Sequence, residues 1–63
     1  MNTQLLNIVK NYTIVKVQNR VVSMPEVEAF ITKAKERNLN DFQIALQLKV
    51  LDGTKTISVA SLL

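Results

Sequence analysis

The chain contains a single glycine, Gly53, and a single proline, Pro25, and each falls where a regular element must begin or reverse. Pro25 lies two residues after Ser23, a favoured N-cap residue, so its missing N–H belongs to a first helical turn, where it costs nothing. Gly53 follows Asp52, and an Asp-Gly pair is a strong signal for a two-residue hairpin turn. The two residues therefore predict a helix that begins near residue 24 and a hairpin that closes near residue 53.

A helix over residues 24–37 is predicted from the pattern that follows the proline. Ser23 and Glu26 have the spacing of a capping box, in which the hydroxyl accepts from a backbone N–H and the carboxylate reaches back. Acidic residues come early in this segment and basic residues come late, which matches the helix dipole. Asn38 is the expected left-handed cap. One face collects apolar residues at i, i+3, i+4 and i+7, namely Val27, Phe30, Ile31 and Ala34.

Two antiparallel strands are predicted over residues 42–51 and 54–61, joined by Asp52-Gly53 in a type I′ turn with positive φ at both residues. In this register Leu48 faces Ile57 and Lys49 faces Thr56, so side chains of similar polarity share a face. The apolar face would consist of Ile44, Leu46, Leu48, Ile57 and Val59, and the polar face of Gln47, Lys49, Thr56 and Ser58.

The first third of the chain leaves alternatives open. Residues 12–17 are rich in β-branched side chains and predict a strand. Gln18-Asn19 either turns this strand into a second one at Arg20-Val21-Val22, or residues 12–22 form one long strand with an irregular end. Residues 4–10 fit a short helix or a strand, and we favour a helical turn. The fold class is therefore α+β: a single small two-layer domain over residues 1–63, of order β(β)-α-β-β, with one amphipathic helix packed on an antiparallel sheet.

The composition argues against catalysis. Because His and Cys are both absent, the chain has no imidazole base, no thiol nucleophile, no imidazole or thiolate metal ligand and no disulfide. The acidic residues show no paired spacing of the kind that glycoside hydrolysis uses, and one glycine cannot build a phosphate-cradling loop. We therefore expect no enzyme activity, no catalytic residue, no cofactor and no metal.

The net charge of +3 is concentrated at the start of the chain, because residues 1–25 contain three basic residues and no acidic one. Basic side chains on one surface are typical of proteins that bind anionic partners. A second basic group follows at the predicted end of the helix. The candidate residues for an anionic partner are Lys33, Lys35 and Arg37, followed by Arg20 and Lys16.

The size of the chain predicts self-association. A domain of 63 residues buries only about 60% of the surface that its unfolded chain exposes, and neither a disulfide nor a zinc site supports this one. We expect a homo-oligomer, in the simplest case a dimer with a second copy covering the open face of the sheet, or a chain that its target stabilises; a well-packed monomer is the alternative. The longest uncharged run, residues 1–9, is too short to span a bilayer. With no secretory signal, we expect a cytoplasmic protein that does not engage membranes.

One segment resembles a known family. The strand Ile14–Val17, the segment Asn19–Pro25, a helix and an Asp-Gly hairpin are similar to AbrB/MazE-type swapped-hairpin DNA-binding proteins, in which a Gly-Arg-Val-Val-Ile-Pro segment precedes a short helix. Here Asn19 replaces the glycine, one further residue separates the valines from Pro25, and the helix is longer. The resemblance covers about 40 residues, and its single motif is unspecific. It implies a DNA-binding dimer with Arg20 near the phosphates.

Two functions are consistent with these patterns. The first is a small non-enzymatic protein-binding module, an inhibitor or adaptor, of the kind common among phage and mobile-element accessory proteins. The alternative is a basic dimeric DNA-binding transcriptional regulator. A third hypothesis, a small-ligand binder with its pocket at a subunit interface, rests on the general fact that such pockets form from residues far apart in sequence.

Overall fold

The computed structural model describes residues 3–63, which form three α-helices, four β-strands and a final 3₁₀ turn. The α+β fold class with an antiparallel sheet is confirmed. Of the two alternatives for residues 4–10, the favoured helical one is observed, and two further helices follow. In chain order the elements are α1 (Thr3–Lys10), β1 (Val15–Val17), β2 (Arg20–Val22), α2 (Met24–Glu36), α3 (Asp41–Gln47), β3 (Leu48–Asp52), β4 (Lys55–Ser58) and the 3₁₀ turn (Val59–Leu62).

The four strands form one sheet in the order β2-β1-β3-β4, and every neighbouring pair is antiparallel. Val15 is paired with Val22 on one side and with Val50 on the other, and Val50 is paired with Ile57. These side chains therefore form an apolar row across all four strands, because directly paired residues project from the same face.

All three helices contribute to the core that covers this row. Leu5 and Val9 of α1, Ile44 of α3 and Val59 of the 3₁₀ turn are fully buried in the same cluster as the sheet valines. From α2 the buried residues are Val27, Ile31 and Ala34, while Phe30, also expected in the core, is half-buried. The opposite side of the sheet, here called the outer face, has no buried residue and consists of Lys16, Val21, Lys49, Leu51, Thr56 and Ser58.

The first hairpin takes the two-stranded alternative, and its turn is of the type that was expected at Asp52-Gly53. Gln18 and Asn19 both have positive φ, 52° and 66°. Two central residues with positive φ define a type I′ turn, whose twist matches that of the flanking strands. The strand β1 is shorter than the predicted residues 12–17 because it begins only at Val15.

Helix α2 begins and ends close to the predicted bounds, and its C-terminal cap is confirmed. Asn38 has a φ of 65°, its N–H donates to the Lys35 carbonyl at 2.9 Å, and the Leu39 N–H donates to the Ala34 carbonyl at 3.1 Å. This pair of bonds is a Schellman motif, which satisfies two helix-end carbonyls. The capping box predicted at the other end is wrong: Ser23 occupies the N-cap, but its hydroxyl contacts the Glu26 carboxylate at 3.4 Å and makes no bond to the backbone.

The strand predicted to begin at residue 42 is wrong, because residues 41–47 form α3. The alternation of Phe42, Ile44 and Leu46 matched a strand, yet Ile44 alone of the three is buried, and Phe42 and Leu46 are 55% and 52% exposed. The deciding signal is a capping box at Asn40 and Gln43, with reciprocal side-chain to backbone bonds of 2.8 and 2.9 Å. These bonds satisfy two backbone N–H groups at the start of the helix. In a strand, the same two groups would need hydrogen-bond partners from elsewhere in the chain.

The C-terminal hairpin exists, but its register and length differ from the prediction. Asp52 is paired with Lys55, so Gly53 and Thr54 form the turn, and of these two only Gly53 has positive φ, at 65°. The type I′ turn predicted at Asp52-Gly53 is therefore wrong, because that turn type requires positive φ at both central residues. The observed register places opposite charges together at the turn and Val50 opposite Ile57, which is better matched than Val50 opposite Lys55. The second strand ends at Ser58, whose hydroxyl accepts from the Ala60 N–H at 3.2 Å and begins the 3₁₀ turn.

Replacement of Gly53 by valine tests the turn. An added Cβ would meet nothing within 4 Å, so the strain comes from the φ of +65° alone. We expect Gly53→Val to lower the free energy of unfolding by about 1–2 kcal/mol, measured by urea denaturation. Thr54→Val is the control, because it places the same side chain on the neighbouring turn residue without positive φ, and it should stay within about 0.5 kcal/mol of wild type. Equal effects of the two substitutions would contradict a turn in which Gly53 has positive φ and Thr54 does not.

The two N-caps make a second matched pair. Asn40→Ala removes the bond that the Asn40 side chain accepts from the Gln43 N–H, while the backbone N–H of residue 40 still donates to the Gln43 side chain, and it should cost about 1 kcal/mol of folding stability. Ser23→Ala removes a hydroxyl that caps no backbone group, so it should cost less than about 0.5 kcal/mol. Thermal unfolding followed by circular dichroism distinguishes the two variants, and a larger loss for Ser23→Ala would show that the Ser23 hydroxyl does cap the start of α2.

Candidate functional site

A groove of about 200 Å³ lies where the C-terminal half of α2 meets the following connection and the end of α3. Its apolar part comes from Phe30 and Ala34 of α2 and from Leu39, which the Schellman motif folds back over the helix end. Gln47, in the last turn of α3, adds a side-chain amide. The groove therefore depends on the way that Asn38 terminates α2 and turns the chain toward α3.

Two of the predicted anion-binding residues line this groove. Lys33 and Arg37 are four residues apart, so they lie one above the other on one side of α2. Both are exposed, which leaves their charged ends accessible to a ligand while their aliphatic stems flank the apolar residues. An Arg guanidinium and a Lys ammonium beside an apolar floor are suited to a ligand that carries a carboxylate next to an apolar group.

Lys35 is separated from the other two. Its ammonium pairs with the Asp41 carboxylate at 3.2 Å, and the two side chains are 33% and 36% exposed. Because Asp41 is the first residue of α3, the ion pair joins the end of α2 to the start of α3. Lys35 thus supports the geometry of the groove and is not one of its lining residues.

Lys16 and Arg20 are not part of the groove either. Lys16 projects from the outer face, on the side of the sheet opposite to the core that α2 covers. Arg20 begins the edge strand β2 and is exposed. The five predicted residues are therefore distributed over four places and do not form one continuous patch.

A second basic site was not predicted. Lys16 in β1 is paired directly with Lys49 in β3, so two ammonium-bearing side chains stand next to each other in the middle of the outer face. The same cross-strand row continues to Val21, which is 67% exposed, and ends at Ser58. At the β4 end of the row, the Ser58 hydroxyl donates to the Ala45 carbonyl at 3.3 Å, so α3 lies next to the row there.

Two features of the site were beyond the sequence-based prediction. Leu39 and Gln47 belong to the groove because of the connection between α2 and α3, which was predicted to lead into a strand. The Asn40-Gln43 spacing would have revealed that connection. The pairing of Lys16 with Lys49 depends on which strands become neighbours, and no local signal reports this.

Within residues 3–63, no group of three or more acidic side chains is placed to hold a metal ion. The helices of that part of the chain are all too short or too polar to cross a membrane. Comparisons with protein-family models, with curated proteins and with solved structures gave no match for this chain. The function must therefore be argued from the groove and the outer face themselves.

The Lys16-Lys49 pair has a measurable effect on stability. Like charges directly opposite each other on antiparallel strands are destabilising, so Lys49→Gln should raise the free energy of unfolding by about 0.2–1 kcal/mol at low salt. Lys55→Gln is the control, because Lys55 is paired with Asp52 and should give no gain. Urea denaturation at low and high salt checks both, since screening should reduce the difference. A gain of the same size for both variants would point to net charge in general.

Proposed function

We propose that this protein is a small non-enzymatic binding module that recognises an acidic segment of a partner protein through the groove between α2 and α3. The observation that carries the proposal is the juxtaposition of an apolar floor, formed by Phe30, Ala34 and Leu39, with the two exposed cations Lys33 and Arg37. An inhibitor or adaptor works through such a surface without any chemical step.

The size of the groove favours a side chain of a protein over a separate small molecule. Small-molecule pockets usually measure about 300–1,000 Å³ and enclose most of the ligand. The groove measures about 200 Å³ and is open to solvent on one side. It therefore suits one large apolar side chain that anchors a segment whose other residues remain outside.

The charge at the groove specifies the remainder of the segment. Arg37 can hold a carboxylate through two parallel hydrogen bonds, and Lys33 adds a charge one helical turn earlier. An Asp or Glu within a few residues of the apolar anchor would meet these two groups. We therefore expect a motif that combines one large apolar residue with one or two acidic residues.

The DNA-binding alternative has less support from the arrangement of charges. Specific DNA binding usually neutralises several phosphates at once, and that requires cations on one surface. Lys35 is paired with Asp41, and Lys16 lies on the other side of the sheet from the groove. A dimer could still bring the separate sets together, and self-association, a cytoplasmic location and a phage or mobile-element origin stay predictions.

Selection from a displayed random-peptide library tests the proposal without knowledge of the partner. The enriched peptides should carry Asp or Glu next to a large apolar residue. Their binding to the double variant Lys33→Gln/Arg37→Gln should be at least about tenfold weaker, because charge-assisted hydrogen bonds contribute about 1.5–3 kcal/mol. Fluorescence anisotropy with the best peptide measures both affinities.

The matched control is Lys10→Gln/Lys55→Gln, which changes the net charge equally but leaves the groove lining unaltered. It should bind the selected peptide as wild type does. Peptides without acidic residues, or equal losses in the two double variants, would refute the proposal. Steeply salt-dependent binding of duplex DNA that exceeds peptide binding would instead favour the regulator.

A further inference from the structure

The outer face carries an arrangement that the groove does not explain. Lys16 and Lys49 are direct cross-strand partners on the two central strands β1 and β3. On the β2 side, the cross-strand row that contains the two lysines ends at the exposed Val21. In the next row, nearer the turn between β3 and β4, Leu51 is half-buried. No outer-face position among the described strands is acidic, since the hairpin residue Asp52 belongs to the other side by alternation.

This arrangement is unfavourable for the isolated chain. Two like charges opposite each other weaken a sheet, and neighbouring carboxylates that could offset them are absent from this face. The apolar Val21 is left 67% exposed beside them. Both costs disappear when a surface with complementary charge and apolar groups covers the face.

We propose that the outer face is a second binding site, and that its occupant is an acidic amphipathic α-helix of another protein. Two carboxylates four residues apart on that helix would meet Lys16 and Lys49, and apolar side chains beside them would cover Val21 and Leu51. The helix would complete a three-layer arrangement in which both faces of the sheet are covered.

The spacing of the charges supports a helix. Side chains directly opposite on antiparallel strands have Cβ atoms about 4.5–5.5 Å apart. Residues at i and i+4 of a helix have Cβ atoms about 5–6 Å apart. A Glu pair with this spacing can therefore form ion pairs with both lysines at once. Binding then offsets the repulsion between the two lysines and the repulsion between the two Glu residues.

A second copy of this chain does not fit the same face. Two outer faces packed against each other would bring four lysine side chains together. The helices of the chain also lack the required carboxylate pair, because no two of Glu26, Glu28, Glu36, Asp41 and Asp52 are three or four residues apart. The charges thus favour a different protein as the occupant.

The test uses a synthetic peptide of about 20 residues, long enough to form an isolated helix, built from Leu, Ala and one Glu pair four apart. Titration into the ¹⁵N-labelled full chain should shift the amide signals of Lys16, Val21 and Lys49. The twin peptide with Gln in place of Glu should bind at least about tenfold more weakly, as should the protein variant Lys16→Gln/Lys49→Gln with the original peptide.

The variant Lys33→Gln/Arg37→Gln separates this site from the groove, because the outer-face amides of Lys16, Val21 and Lys49 should shift in it over the same peptide concentrations as in wild type. No shift of the three amides at about 1 mM peptide, or equal binding of the Gln twin, overturns the proposal. So does a chain that sediments as a dimer with these amides at its interface, because the occupant is then a second copy. Stronger shifts of the same amides by a single-stranded oligonucleotide would identify nucleic acid instead and also overturn it.

Discussion

The pairing of β1 with β3 is the interaction on which the other parts of the structure depend. It joins a hairpin near the start of the chain to one near its end, through Val15 opposite Val50 and Val17 opposite Leu48. A two-stranded hairpin is marginal by itself in water, whereas four strands with a covered apolar face can be stable. Once these strands are paired, α2 is fixed at both ends, by β2 before it in the chain and by the connection to α3 after it. The groove at the C-terminal end of α2 then has a defined shape.

Local signals predicted the parts of the fold that depend on neighbouring residues. The bounds of α2 follow from Pro25 at its start and Asn38 at its end, since both act through backbone conformation alone. The existence of the C-terminal hairpin followed from its Asp-Gly signal, whereas the first hairpin was one of the two alternatives that Gln18-Asn19 left open. Of the groove, Lys33 and Arg37 were identified in advance because basic residues gather in the last turns of the helix.

The remaining features depend on competition between two local structures or on contacts between residues far apart in the sequence. Residues 42–47 satisfy both a strand and a helical period, and only the Asn40-Gln43 capping box decides between them. The hairpin register depends on how Asp52 and Lys55 pair, a balance of about 0.2–1 kcal/mol per cross-strand pair that an Asp-Gly signal does not reveal. The lysine pair on the outer face arises from long-range strand pairing, which sequence spacing cannot report.

The two edge strands of the sheet determine how readily copies of the chain can pair edge to edge at high concentration. The edge strands β2 and β4 contain three and four residues, and each begins with a cation, Arg20 or Lys55. An unpaired strand edge is a template for amyloid-like growth, and short, charged edges are among the devices by which proteins block it. A chain arriving at either edge would find few backbone groups to pair with and a positive charge at the start of each strand. The sheet therefore has little capacity to extend into a fibril by edge addition.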